Sequence, residues 1–278
     1  MGRSRLVSLA TVYAHLDRPP LDSAALSKAL VYEGSLWSSV QVVPVTGSTN
    51  ADLIAAEAPE GSVLVAEHQD AGRGRLERHW ISPPQAGLTF SIVLRPPVAP
   101  SKWGWLPLLV GVALCEAVRS LGEVGAWLKW PNDLLVGRRR DKAAGILAEV
   151  AGPAVVVGVG LNVSTRADEL PAGATSLALA GAVTQDRDTV LRAVLRAVEV
   201  RYRSWCAAEG DAVGCGLLSA YVGFCDTLGR DVSVSVPGGQ SIAGRAEAID
   251  SSGRLLVRGD GVLHPLAAGD VRHVRSVG

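Results

Sequence analysis

The sequence is short of residues that mark several common protein classes. It has four cysteines in 278 residues, at positions 115, 206, 215 and 225. No two of them form a C-x-x-C pair or a metal-type cluster with histidine. Disulfide scaffolds and zinc modules are therefore excluded, and the thiols read as small core residues or free thiols of a reducing compartment. Neither sign of charge is in excess, with 27 Lys+Arg against 27 Asp+Glu. A neutral chain speaks against general nucleic-acid binding, which draws on phosphate neutralisation. There is also no row of aromatic side chains of the kind that stacks bases. The first twenty residues hold no continuous apolar run and include Arg3, Arg5, His15, Asp17 and Arg18, so no secretory signal is expected. The most apolar window, Trp105 to Leu121, is short for a bilayer and carries Glu116 and Arg119. These absences lead to an expectation of a cytoplasmic protein with no membrane partner and no DNA partner.

What is present is core material. Hydrophobic residues make up 48% of the chain, with 31 glycines, and the length suits one large domain or a large one with a small one. Short helices or strands are expected at Asp22–Leu30 (helix), Ser39–Val45, Ser62–Glu67, Leu88–Leu94, Ala126–Lys129, Leu134–Val136, Ala144–Val150 and Ala154–Val163 (strands). The spacing of apolar residues predicts helices over Trp105–Leu121, Asp188–Cys206 and Asp211–Val222, and the Trp103 and Trp105 rings belong to the core. Thr49 and Asp52 have capping-box spacing before a helical Leu53–Glu57. The three arginines at 138–140 read as a solvated hairpin tip. Consecutive strands without regular helical crossovers indicate an α+β fold on a mixed, largely antiparallel sheet. After Gly229 the texture changes to short alternating strands around Pro237-Gly238-Gly239 and Gly259-Asp260-Gly261, which predicts a small β-barrel. The expected division is 1–38, an N-terminal segment; 39–224, the main domain; and 225–278, the barrel.

Two stretches carry the chemistry. In Gln69-Asp70-Ala71-Gly72-Arg73-Gly74-Arg75-Leu76-Glu77-Arg78-His79-Trp80, glycines alternate with arginines. Glycine lets the backbone come close to a ligand, and arginine supplies a permanent bidentate cation, so the loop suits an anion. Alone it would be an ordinary basic turn. The second stretch is Lys129-Trp130-Pro131-Asn132-Asp133 followed by Lys142-Ala143-Ala144-Gly145-Ile146-Leu147-Ala148-Glu149. Together these resemble biotin protein ligases, which carry G-R-G-R-x-x-R-x-W, K-W-P-N-D and K-x-x-G-I-L-x-E in this order. The resemblance spans roughly residues 40–275.

The resemblance implies a synthetase-like α+β catalytic domain with an SH3-like C-terminal domain. It also implies ATP-dependent formation of biotinyl-5′-AMP and transfer of biotin to a lysine of the biotin carboxyl carrier domain of acyl-CoA carboxylases. Biotin contacts are implied for Ser48, Thr49, Asn50, Gln69, Gly72, Arg73, Gly74, Arg75, Lys142 and Gly145. The ATP side is implied for Arg75, Arg78, Trp80, Lys129, Asn132 and Asn162. Lys142, with Lys129 and Arg73, is expected to carry catalysis, Lys142 bridging carboxylate and α-phosphate. Mg²⁺ is expected on the phosphates, with no protein ligand assigned; Asp133 could orient Lys129 or a Mg²⁺-bound water, or stabilise a turn. The family glycine before Arg78 is Glu77 here, which adds negative charge where anions bind. Some members carry an N-terminal winged-helix domain, and about 40 residues before the motifs are too few for one. The alternatives are a lipoate or octanoate ligase or transferase of the same fold, which should show an absent R-R-x-S-G-G-G-like loop, and a non-catalytic biotin- or nucleotide-binding module.

Overall fold

The computed structural model describes residues 18–75, 78–236 and 240–274. Glu77, the turn expected at 237–239 and Arg275 lie outside the described residues. Two sheets organise the rest. The larger has seven strands: β1 (Ser39–Val43), β2 (Ser62–Ala66), β3 (Gly87–Leu94), β4 (Ala126–Lys129), β5 (Asp133–Val136), β6 (Asp141–Ala151) and β7 (Ala154–Asn162). Their order is β1-β2-β3-β7-β6-β5-β4, with β1–β2 parallel and every other pair antiparallel. The expected mixed, largely antiparallel sheet is therefore present.

Period-2 alternation gives this sheet two unlike faces. Phe90, Ile92, Leu94, Val155, Val157, Val159 and Leu161 point into the main core, against α3 (Trp105–Gly122) and α4 (Arg187–Ala207). α4 buries Leu191, Val194, Leu195, Val198, Tyr202 and Trp205, the stripe expected from its sequence. α3 is 18 residues long with mean hydropathy 1.4, enough to span a bilayer by length and composition, yet 72% of it is buried inside the fold. It is the helix around which the core packs. α1 (Ser23–Leu30), capped by Asp22, adds Leu26 and Leu30 to that core, and Trp37 follows. Residues 18–38 are thus part of the main domain's packing.

On the opposite face the residues change along the strands. Val93, Val156 and Leu64 pack under α2 (Thr49–Ala55). One or two pairs further on the same face presents Thr89, Ser91, Gly145, Gly158 and Gly160, paired Thr89↔Gly160↔Gly145 and Ser91↔Gly158. Small residues there leave a depression in the sheet beside the N-terminus of α2.

α5 (Leu217–Phe224) starts later than expected. Asp211 to Gly216 form turns, and Gly216 at φ +74° fixes the bend before the helix. The C-terminal sheet contains β8 (Asp231–Ser235), β9 (Ser241–Ile249), β10 (Leu255–Gly259), β11 (Val262–Leu266) and β12 (Asp270–His273), in the antiparallel order β11-β10-β9-β8-β12. It is the small SH3-like unit expected. Trp105 and Trp130 donate their indole N–H groups to Ser251 O (2.8 Å) and Gly253 O (3.1 Å), tying the two units together. The arginine hairpin is the solvated tip expected, with all three arginines exposed. Arg140, though exposed, also pairs with the buried Asp226 and stacks 4.5 Å from the Trp127 ring. Its partner lies far along the chain, where local charge patterning cannot reveal it.

Candidate active site

The depression is roofed by the glycine–arginine loop. That loop is a small hairpin, with Arg73 bridged to His79, Gly74 N–H donating to Arg78 O (2.6 Å) and Trp80 N–H to Gly72 O (2.8 Å). Its end lays the Trp80 indole flat on the glycine column. A Cβ at Gly160 would sit 2.3 Å from Trp80 Cε2, and one at Gly145 3.5 Å from Trp80 Cζ3. Trp80 Nε1 is buried against Gly160 without a hydrogen-bond partner. About 120 Å³ of this open cavity admits a water-sized sphere.

One end of this cavity is neutral and polar. Ser48 is the N-cap of α2, its Oγ accepting from Ala51 N (3.4 Å), so the helix begins at Thr49. The capping box expected from Thr49 and Asp52 does not form: Asp52 accepts from Thr46 instead, and Thr49 turns inward. Ser48, Thr49 and Asn50 are all buried. Gln69 Oε1 accepts from Thr49 N (2.8 Å), and Thr49 Oγ1 lies 2.6 Å from Ser91 Oγ. Asn50 fits only because residue 158 is glycine; a Cβ there would stand 2.5 Å from Asn50 Oδ1.

The other end is cationic. Arg73, Arg75, Arg78 and Lys142 all line the cavity. Lys142 reaches it through a register shift between β5 and β6: Leu134 pairs with Ala144, but Leu135 with Lys142. Strict alternation would turn residue 142 toward the core, and the bulge turns it to the site face. Its backbone N–H and carbonyl then pair with Gly173 O (3.0 Å) and Thr175 N (2.8 Å). Three of these cations meet carboxylates: Arg73 with Glu149 (3.2 Å), Lys142 with Asp133 (2.6 Å) and Arg78 with Asp270. The Lys142 pair is a close charge contact without hydrogen-bond angles, since Asp133 Oδ1 has no hydrogen-bond partner. Burial lowers the Arg75 guanidinium from its ordinary value, opposed by Asp133 and Asp270. The bond to Asp270 raises that of Arg78.

Asn132 lines the same cavity and donates to Ile146 O (3.0 Å). Beyond it, a more apolar recess is walled by Arg75, Trp103, Trp130, Pro131, Asn132 and Ile146. Gly72 lies under the loop, where a Cβ would meet Trp80 O at 2.3 Å. Lys129 stands in the neighbouring interdomain cleft, which shares Arg78, Asp133, Lys142 and Asp270 with the main cavity. Burial lowers its ammonium from the ordinary value. Asn162 is not brought to the cavity lining; it is buried and donates to Thr175 O (3.0 Å), fixing the loop that holds Lys142. Sequence reasoning missed Ser91, Gly158, Gly160 and Asp270, and quoted Glu149 in a motif without giving it a role. The glycines of an otherwise apolar strand signal a close approach. Nothing local marks Ser91 or Asp270.

The cleft also carries a pH-sensitive group. His273 sits 3.3 Å from Thr227 Oγ1 and 3.8 Å from Asp226. Burial, then Lys129 and Arg230, push its pKa down to about 4. The unfolded chain titrates this imidazole near ~6.5, so between the two values the unfolded state binds more protons and stability falls as pH drops. Discounted for solvent contact, the loss is about 1 kcal/mol by pH ~5. Urea midpoints at pH ~7.5 and ~5 should fall less in His273→Gln than in wild type.

Comparison with known proteins agrees with this geometry. Residues 40–164 match the biotin/lipoate A/B protein ligase family, and residues 227–274 the biotin protein ligase C-terminal domain. A biotin–[acetyl-CoA-carboxylase] ligase of Mycobacterium tuberculosis is 43% identical over 268 residues, 93% of this chain and 97% of that protein. The bifunctional ligase/repressor BirA of Escherichia coli is 34% identical over 84% of this chain and 73% of its own length. Among solved structures, the biotin protein ligase from Aquifex aeolicus in complex with biotin and ATP is similar at TM-score 0.74 and 27% identity, over 86% of this chain and all of that one. With a near full-length relative above 40% identity, a matching C-terminal domain and the sheet depression roofed by the glycine–arginine loop, the chain belongs to the biotin protein ligases.

Proposed function

We propose that the protein joins biotin and ATP into biotinyl-5′-AMP and then transfers biotin to a lysine of a biotin carboxyl carrier domain. The observation that carries this is the polarity of one cavity: buried neutral donors and acceptors at the α2 end, with Arg73 joined to them through Glu149, and Arg75, Arg78 and Lys142 at the other. A cyclic urea suits the first and a carboxylate meeting a triphosphate suits the second. Ser48, Thr49, Asn50 and Gln69 then take the ureido ring, with Gly72, Gly74 and Gly145 giving close backbone approach and Trp80 flanking it. Arg73, Arg75 and Lys142 take the carboxylate. Arg75, Arg78, Lys129 and Asn132 face the nucleotide, and the recess beside Trp103 and Pro131 has the apolar character of a base site.

Both reactants are anions, so the site lowers the barrier mainly by neutralising and aligning them. The carboxylate oxygen attacks the α-phosphorus and pyrophosphate leaves; a carrier amine later attacks the acyl carbon and AMP leaves. Lys142 lies between carboxylate and α-phosphate, and exchanges Asp133 for substrate oxygens. Among the described residues no group of three His, Cys, Asp or Glu side chains could hold a metal ion. Mg²⁺ brought with ATP would rest on phosphate oxygens and water, with Asp133 Oδ1 as the nearby acidic atom. The reaction is placed in the cytoplasm, where ATP and carboxylase carriers meet.

ATP–pyrophosphate exchange tests this. Biotin should drive exchange, and Lys142→Ala should reduce it by about 10²–10³-fold at unchanged Tm. Exchange driven by lipoate and not by biotin would move the protein to lipoate ligation.

A further inference from the structure

The biotin-side polar residues rest on two side chains that do not line the cavity, Ser91 and Glu149. Glu149 Oε2 accepts from Asn50 Nδ2 at 2.7 Å and Oε1 from Arg73 Nη1 at 3.2 Å. A carboxylate with an arginine counter-ion only accepts, as does the Leu147 carbonyl at 3.3 Å, so Asn50 must turn its amide nitrogen toward them, the carboxylate being the nearer and charged partner. Asn50 Oδ1 is then left to accept from Ser91 Oγ at 2.6 Å, which uses the only hydroxyl proton Ser91 has. The 2.6 Å contact between Ser91 Oγ and Thr49 Oγ1 therefore needs the proton of Thr49. Gln69 Oε1 accepts from the Thr49 backbone N–H at 2.8 Å and stands 3.1 Å from Thr49 Oγ1 as a longer alternative for the same proton; with that proton on Ser91 or on Gln69, none is left for the ligand. Every proton in this buried chain runs in one direction, away from the cavity, and Thr49 Oγ1 offers lone pairs alone.

We propose that Glu149 is a positioning residue for biotin: it sets the hydrogen-bond polarity of the Ser48–Asn50 turn so that Thr49 Oγ1 receives a ureido N–H. The inference rests on the biotin reading above and deepens it. Replacing Glu149 by glutamine keeps shape but supplies a donor. Where that donor turns to Asn50, Asn50 gives up its bond to Leu147 O (3.3 Å) and turns over, Ser91 donates to Thr49, and the Thr49 proton is free to face the ligand's own N–H.

The test is biotin binding by calorimetry to wild type, Glu149→Gln, Asn50→Asp and the double variant, with Tm and the KM for ATP measured alongside. Glu149→Gln should weaken biotin about tenfold or more, with Tm and the KM for ATP little changed. Asn50→Asp alone sets two carboxylates together and should weaken it further. In the double variant the carboxylate now at position 50 accepts from the amide now at position 149 and from Ser91. That restores the direction of the chain, and affinity should return to within about threefold of wild type. A folded Glu149→Gln with unchanged affinity, or a double variant no better than its parents, would overturn the proposal. Failure of the wild type itself to bind biotin would overturn the functional reading, and the proposal with it.

Discussion

Arg187→Met should unfold about 10 °C below the wild type. Arg187 and Glu67 form an ion pair at 2.6 Å with side chains 6% and 8% exposed. Arg187 also donates to Gly87 O (3.2 Å) and Pro19 O (2.6 Å), while Glu67 accepts from Leu21 N (2.6 Å). Four segments meet there: the strap at 19–21, the end of β2, the start of β3 and the first turn of α4. Removing the guanidinium leaves a buried carboxylate without its counter-charge and two carbonyls without donors, a cost of about 3–5 kcal/mol. At ~2–4 °C per kcal/mol for a chain of this size, the Tm change is large. Glu67→Gln in the same background keeps an acceptor for Leu21 N and removes the stranded charge, so the double variant should be more stable than Arg187→Met. Two single losses that simply add would show that the charges do not act as a pair. The effect extends to the site, because Glu67 leads directly to His68 and to Gln69 under Thr49.

How much of this could be read from the sequence depends on how far apart the cooperating residues lie. The strands, the α4 stripe and the change of texture at Gly229 follow from local periodicity, and each appears within a few residues of its expected bounds. The cation-bearing loop and Lys142 were legible as motifs. The bulge that turns Lys142 to the site was not, since it depends on which residue of β5 faces which of β6. Arg140 is solvated as expected, but its pairing with Asp226, 86 positions away, was not legible. Asn162 looked like a ligand contact because it ends a buried strand, but its amide serves the 173–175 loop. Ser48 and Thr49 show the same limit at short range. Either could cap the helix, and the choice is made by Ser91 and Gln69 drawing Thr49 inward.

Gly160→Ala should slow adenylate formation about a hundredfold, a loss comparable in free energy to its cost in stability. Residue 160 pairs with Thr89 on one side and Gly145 on the other, and its neighbours Val159 and Leu161 are 2% and 1% exposed in the main core. The strand itself accepts alanine, because the added methyl points to the site face. There it would lie 2.3 Å from Trp80 Cε2 and 2.4 Å from Nε1, inside a rigid ring with no flexible end to yield. The ring must rise off the sheet, and Trp80 N–H to Gly72 O and the Arg73–His79 bridge carry that movement into the loop. Overpacking at one wall of an open cavity costs about 1–3 kcal/mol. Displacing Arg73 and Arg75 by an ångström from an anion they must align costs about a hundredfold in adenylate formation. Shrinking the ring in the same background, as Trp80→Leu, should recover Tm but not the rate, because the clash is gone while the indole wall is lost. Biotin-dependent pyrophosphate exchange and a melting curve on the two variants measure both. A Gly160→Ala protein with wild-type exchange would mean that the loop can hold its arginines without the indole on the glycine column.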